Sequence, residues 1–432
     1  MHPNLSFEQA PPISVPYRFF VTAPWFGVAA GLVLAWLGQD ALVSRWSPGA
    51  LAAVHLTVAG FMLQAMCGAL LQFVPVAAGG NVWRPRVVAG MVHPLLAAGV
   101  ICLATGFLSA SGGFFVAAAV ILGLAVAAYV AVVGSALRRT PGKGPTLAAL
   151  RFAVAGLAIT AALGVTIAAS LGTGNLLPVV EMTQVHAAWG LGGWALTLLI
   201  GVSYYVVPMF QLTPAYPGKL AWGLPPAIFV VLLAWSWQLV GAAAWEMAVL
   251  PAGMAAAASY AVATLRLQQQ RRRKVSDPTL HFFRVAMLCL IALAVAGLWT
   301  TLDAELGADR RAAVWMGLLA IPGVFVSAIS GMLYKIVPFL NWLHLQRLAG
   351  LGAAPPNMRE MIAESAMIGH LRLHVLAVLA LLASVFLPVL TRPAGLLFAA
   401  SCGWLGINVA NGVRAYARFR RSMATKAAAA SA

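Results

Sequence analysis

Alanine, glycine, leucine and valine fill block after block of about twenty residues along this chain. Twenty apolar residues in a helix are what it takes to cross the hydrocarbon core of a bilayer. The blocks begin near residues 18, 50, 86, 113, 149, 181, 220, 243, 282, 311, 366 and 391, which predicts twelve transmembrane helices. Only 9% of the 432 residues are charged, against about 25% in a soluble domain. A soluble globule and a disordered chain are both excluded. The expected class is an all-α polytopic membrane protein, with residues 1–432 forming a single membrane domain. Residues 1–17 are polar and proline-bearing, and the first block is expected to be a true span and not a cleavable signal.

The net charge is +17, yet its placement argues against nucleic acid as a partner. The cations cluster in short connections, at Arg138, Arg139 and Lys143, at Arg271, Arg272, Arg273 and Lys274, and at Arg414, Arg418, Arg420 and Arg421. Such clusters belong on the cytoplasmic side of a membrane. Twelve spans with both termini cytoplasmic put Arg84, Arg86, Lys219, Arg347 and Arg359 on that side as well. Only Arg45, Arg310, Arg311 and Arg392 are left outside. A bacterial-type inner membrane is the expected location. The connection at 341–365, with Pro355, Pro356 and Asn357, is expected to cap the cytoplasmic face. Cys67, Cys102, Cys289 and Cys402 lie in apolar runs without CxxC spacing and read as small buried hydrophobes.

The chain repeats itself. The phrase G-x5-V-P occurs as Gly68 to Val74-Pro75, Gly201 to Val207-Pro208 and Gly331 to Val337-Pro338, at nearly equal intervals. It is expected to close helices 2, 6 and 10. Upstream, Arg18, Arg151 and Arg284 recur at equal intervals, each beside a phenylalanine, at Phe19, Phe152 and Phe283. Two markers in register over three segments predict three four-helix units, about residues 12–140, 145–275 and 280–420, around a pseudo-threefold axis. Inverted repeats of the transporter kind need a different pattern.

Ionisable residues inside apolar segments are costly and often functional. His55 stands about one turn into helix 2 and His186 about one turn into helix 6, both from the outer side. They precede Pro75 and Pro208 by nearly the same stretch of chain, and Met316 holds the matching place ahead of Pro338. Two imidazoles and a thioether form a donor set for haem or a soft metal. Each histidine alone reads equally well as a hydrogen-bonding partner of a neighbouring helix; the matched pair favours ligation. Met62 and Met66 follow His55 on one helix face. Gly190 and Gly193 are expected to clear space beside His186. Glu181 is the only acid nearby, and Arg392, with Arg45, Arg310 and Arg311, is placed to meet propionates. His93, His370 and His374 offer a second candidate site near the cytoplasmic side. His2, His281 and His344 read as interfacial. Tyr204, Tyr205, Tyr334 and Lys335 read as polar glue or parts of a proton path.

Twelve helices, a threefold four-helix repeat, and the stretches His55-Leu-Thr to Val74-Pro75 and His186-Ala-Ala-Trp189 to Tyr204-Tyr205-Val-Val-Pro208 resemble subunit I of the haem–copper oxidases. In that family the helix-2 histidine ligates a low-spin haem and the helix-6 histidine ligates copper. The resemblance therefore implies a haem ligand at His55 and a metal ligand at His186. The family's histidine pairs on helices 7 and 10 have no counterpart in 220–241 or 311–340, and Ala187-Ala188 replaces its Pro-Glu. A complete oxygen-reducing centre is thus not encoded. In helix count the chain is also similar to haem- and copper-containing membrane proteins linked to nitric-oxide stress. The expected function is a membrane protein binding haem b, with copper as a further cofactor, in electron transfer, gas binding or respiration. Its partners would be lipid and respiratory subunits or an electron donor. The alternatives are a copper or haem transport and assembly protein, and a cofactor-free subunit of a larger membrane complex.

Overall fold

The computed structural model describes residues 9–175, 177–239, 246–272, 277–349 and 356–431. His2, Arg273, Lys274 and Pro355 lie outside the described residues. Among those described there is no strand, and twelve helices are long and apolar enough to cross a membrane. They are α1 Ser14–Leu42, α2 Pro48–Ala78, α3 Pro85–Ser109, α4 Gly112–Arg139, α5 Pro145–Thr173 and α6 Val179–Gln211. The second half adds α7 Gly218–Ser236, α8 Ala248–Gln269, α9 Pro278–Leu302, α10 Arg310–Arg347, α11 Glu364–Ser384 and α12 Pro388–Met423. The chain is a multi-pass membrane protein. The face at which α1 begins is called proximal below, and the opposite one distal.

Local chemistry sets the helix starts. Pro48, Pro85, Pro145 and Pro278 each stand at the first helical position, where a missing N–H costs nothing. The Ser47 hydroxyl accepts from the Ala50 amide ahead of α2. The Asp277 carboxylate accepts from Thr279 and Leu280 ahead of α9, so both caps satisfy donors the helix leaves open. Burial raises the Asp277 carboxyl, but the Thr279 hydroxyl, the Lys335 ammonium at 2.9 Å and the Leu280 amide together hold it below its ordinary range.

The three helices that carry the repeated phrase form the core. In each of α2, α6 and α10, 67% of the central stretch is buried, against 22–50% for the other nine. Each is also interrupted by π-helical turns, at Leu56–Met62, Trp189–Leu196 and Leu319–Val326. Outside the core, α1 lies against α12 with backbones almost touching. A Cβ on Gly31 would stand 2.5 Å from the Gly395 carbonyl oxygen, an approach that only small residues permit.

The repeated proline does not close its helix in every case. Pro208 lies inside α6, which runs on to Gln211, and α10 continues past Pro338 to Arg347 instead of ending near 340. The added turns of α10 are anchored. Asn341 is fully buried, its Nδ2 donates to the Gly412 carbonyl at 2.8 Å, and its Oδ1 accepts from the Tyr17 hydroxyl.

Candidate functional site

His55 ends the α-helical first segment of α2, immediately before its π-helical turns. Its Nδ1 lies 2.8 Å from the Leu51 carbonyl oxygen, one turn back. His186 lies on α6 shortly before the π-helical stretch there, and its Nδ1 is 3.0 Å from the Thr160 carbonyl oxygen of α5. A carbonyl only accepts, so in each neutral ring Nδ1 carries the proton and Nε2 is left with its lone pair. Neither Nε2 is hydrogen-bonded to another described residue. A backbone carbonyl fixing the tautomer is the usual support behind a ligating imidazole.

The two rings meet. Their centroids are 6.4 Å apart and their planes 18° from parallel. Phe107 of α3 stacks on His55 at 5.1 Å, and Phe115 of α4 closes edge-on against Phe107 at 5.1 Å. On the other side, Gly164 of α5 gives His186 its room: a Cβ there would stand 2.8 Å from Cε1. Five helices, α2 to α6, therefore fix two half-buried imidazoles.

Other expected members stand apart. Met316 lies on the α-helical turns that precede the π stretch of α10, as His55 and His186 precede theirs, but among the described residues no ring pair or hydrogen bond joins it to them. Arg392 is exposed and folds over Gly38, where a Cβ would be 2.7 Å from its Nε. Arg311 pairs with Asp309 at 2.9 Å, and Arg45 lies over the Trp46 ring at 4.8 Å. Gly190 and Gly193 do not border His186; they make way for Thr160 and Trp189. The residue that does so, Gly164, comes from the preceding helix, and no spacing on α6 points to it.

His370 and His374 of α11 are buried and fully engaged. The Tyr334 hydroxyl is 2.8 Å from His370 Nδ1, and Ser401 Oγ is 3.1 Å from His370 Nε2 and 3.2 Å from His374 Nδ1. Ser327 Oγ is 2.8 Å from His374 Nε2, and Asn408 Nδ2 donates to the Tyr334 hydroxyl at 2.8 Å. All four ring nitrogens have partners, which ties α10, α11 and α12 together. His93 lies elsewhere, its Nε2 2.9 Å from Thr22 Oγ1 and its ring edge-on to Phe19. Among the described residues, no three of His, Cys, Asp and Glu group closely enough to hold a metal ion.

No model of a known protein family matches this chain, and no curated protein matches it.

Proposed function

We propose that this membrane protein binds haem b, which His55 and His186 would hold through Nε2, and that it takes part in electron transfer or gas binding in a respiratory setting. One observation carries the reading: near-parallel imidazoles 6.4 Å apart, each with Nδ1 committed to a backbone carbonyl and Nε2 without a hydrogen bond among the described residues. Two imidazoles on opposite sides of one metal, at roughly 2.0–2.1 Å from each ring nitrogen, have centroids about 6.3 Å apart. An offset ring stack can reach the same separation, but it would leave both lone pairs without a donor. Among the described residues no third histidine, cysteine or carboxylate joins the pair, which suits a group that would bring further donors of its own.

When bound, the haem would supply one-electron chemistry or a gas-binding iron. The protein's share is to hold both imidazoles neutral, parallel and fixed by Leu51, Thr160, Phe107 and Gly164. Held by two imidazoles, the group would be suited to electron transfer, which is the favoured role. Copper is the second reading. Two imidazoles alone suit a two-coordinate soft ion, and the close packing of Phe107 and Gly164 around the rings favours a small occupant. The positive-inside pattern supports cytoplasmic termini in a bacterial-type inner membrane, which makes the His55–His186 face external. An absorption spectrum and metal analysis of the purified protein test the haem and copper readings.

A further inference from the structure

The proximal halves of α2, α6 and α10 line an apolar cavity of about 130 Å³, to which Phe20 of α1 adds one wall residue. Its walls follow the repeat. Ala69, Val202 and Met332 each stand six residues before the repeated proline, and Val76, Met209 and Phe339 each stand one after it. Six such positions are filled by all three helices, so the cavity lies where equivalent faces of the three repeats converge.

One level breaks the apolar pattern. Three residues before the proline, α2 and α6 carry Gln72 and Tyr205, and both line the cavity. Gln72 is only 7% exposed, and its Oε1 has no hydrogen-bond partner among the described residues. The Tyr205 hydroxyl has no hydrogen bond among the described residues. The third residue at this level, Lys335, is drawn off to Asp277 at 2.9 Å. Two hydrogen-bonding groups thus face one apolar chamber from neighbouring helices, and a buried polar group is costly to leave unpaired.

Size and chemistry narrow the occupant. An apolar cavity of roughly 150 Å³ stays dry and admits benzene, so this one is of single-ring size and far too small for a macrocycle. A lipid acyl chain or a dissolved gas would leave Gln72 unpaired. An amide both donates and accepts, and a tyrosine hydroxyl does the same, which suits an apolar ring whose oxygen is either a carbonyl or a hydroxyl. We propose that this axial cavity binds the ring of a membrane quinone, gripped by Gln72 and Tyr205 between the apolar walls of α2, α6 and α10. The inference rests on the cavity alone and is independent of the histidine pair.

The test is equilibrium binding of decylubiquinone to the purified full-length protein in detergent, with bound quinone measured against micelles alone. One saturable site per chain is expected. Ala69→Phe, which fills the chamber, and Gln72→Leu, which keeps the side chain's bulk and removes its amide, should each weaken binding by about tenfold or more. Gln72→Leu also removes a buried amide oxygen that has no partner among the described residues, so loss of folding would not explain its effect. Val120→Phe, on a 56% exposed position of α4, should bind as the parent does. Binding no different from micelle partition overturns the proposal, as does binding unchanged in Ala69→Phe. Binding lost in Ala69→Phe but kept in Gln72→Leu also overturns it, because the occupant would then lack the polar end assigned here.

Discussion

Gly164 stands so close to His186 that a Cβ at that position would lie 2.8 Å from the imidazole Cε1. The position of the His186 ring therefore depends on the absence of a side chain on α5. Gly164→Ala forces the ring to move by several tenths of an ångström, and Gly164→Val displaces it further. Overpacking of this kind costs about 1–3 kcal/mol. The expected outcome for Gly164→Val is a lowered melting temperature together with loss or alteration of any His186-dependent absorption. Full retention of both would mean that the ring has slack.

The His370–His374 network predicts a different phenotype. Each ring bridges two polar partners on other helices. His374→Ala would leave Ser327 with only the Pro322 carbonyl at 3.3 Å and Ser401 with only His370 at 3.1 Å, and is expected to cost about 1–3 kcal/mol. Metal and haem content per folded molecule should stay at the parent level. Thermal unfolding and metal analysis of the same preparation separate the two effects.

The Asp277–Lys335 pair predicts a pH dependence. The folded-state carboxyl titrates below its unfolded value, so its contribution is fully present above the unfolded pKa, about 3.9. That contribution is lost as pH falls through the folded value. Asp277→Asn keeps the cap and loses the ion pair, so it should destabilise the protein at neutral pH by about 1 kcal/mol or less, read as a lower melting temperature. The gap to the parent should close as the pH drops below about 4. A gap that stays constant down to acid pH would contradict this assignment.

Close packing of α1 and α12 predicts a steric lesion. A Cβ on Gly31 would meet the Gly395 carbonyl oxygen at 2.5 Å and the Ala399 amide nitrogen at 2.6 Å. Backbone cannot swing aside as a side chain can, so Gly31→Leu is expected to destabilise by about 3 kcal/mol or more. Gly113→Leu, where nothing lies within 4 Å, is the control and should unfold as the parent does.

The helix count was legible in the sequence because a bilayer imposes one length on every apolar block. The repeated glycine and proline marked α2, α6 and α10 as a set, and these three prove the most buried of the twelve. What sequence periodicity missed has a common cause. The π-helical turns at Leu56–Met62, Trp189–Leu196 and Leu319–Val326 change the angle between successive side chains. A face projected with the ordinary α-helical period therefore fails across them, and the stripe from His55 to Met66 cannot be drawn through. Gly164 and Phe107 were invisible for another reason: they reach the histidines from α5 and α3, and only tertiary packing brings them there. His370 and His374 have ligand spacing, but their serine and tyrosine partners lie on α10 and α12.

The most direct measurement is the absorption spectrum of the purified protein from haem-replete cells, taken for the parent, His55→Ala, His186→Ala and His93→Ala. The expected result is a Soret band with low-spin visible bands in the parent and in His93→Ala. It should be lost or shifted to a high-spin form in each of the other two. A parent without a Soret band, or a band unchanged in both His55→Ala and His186→Ala, would contradict axial ligation by this pair.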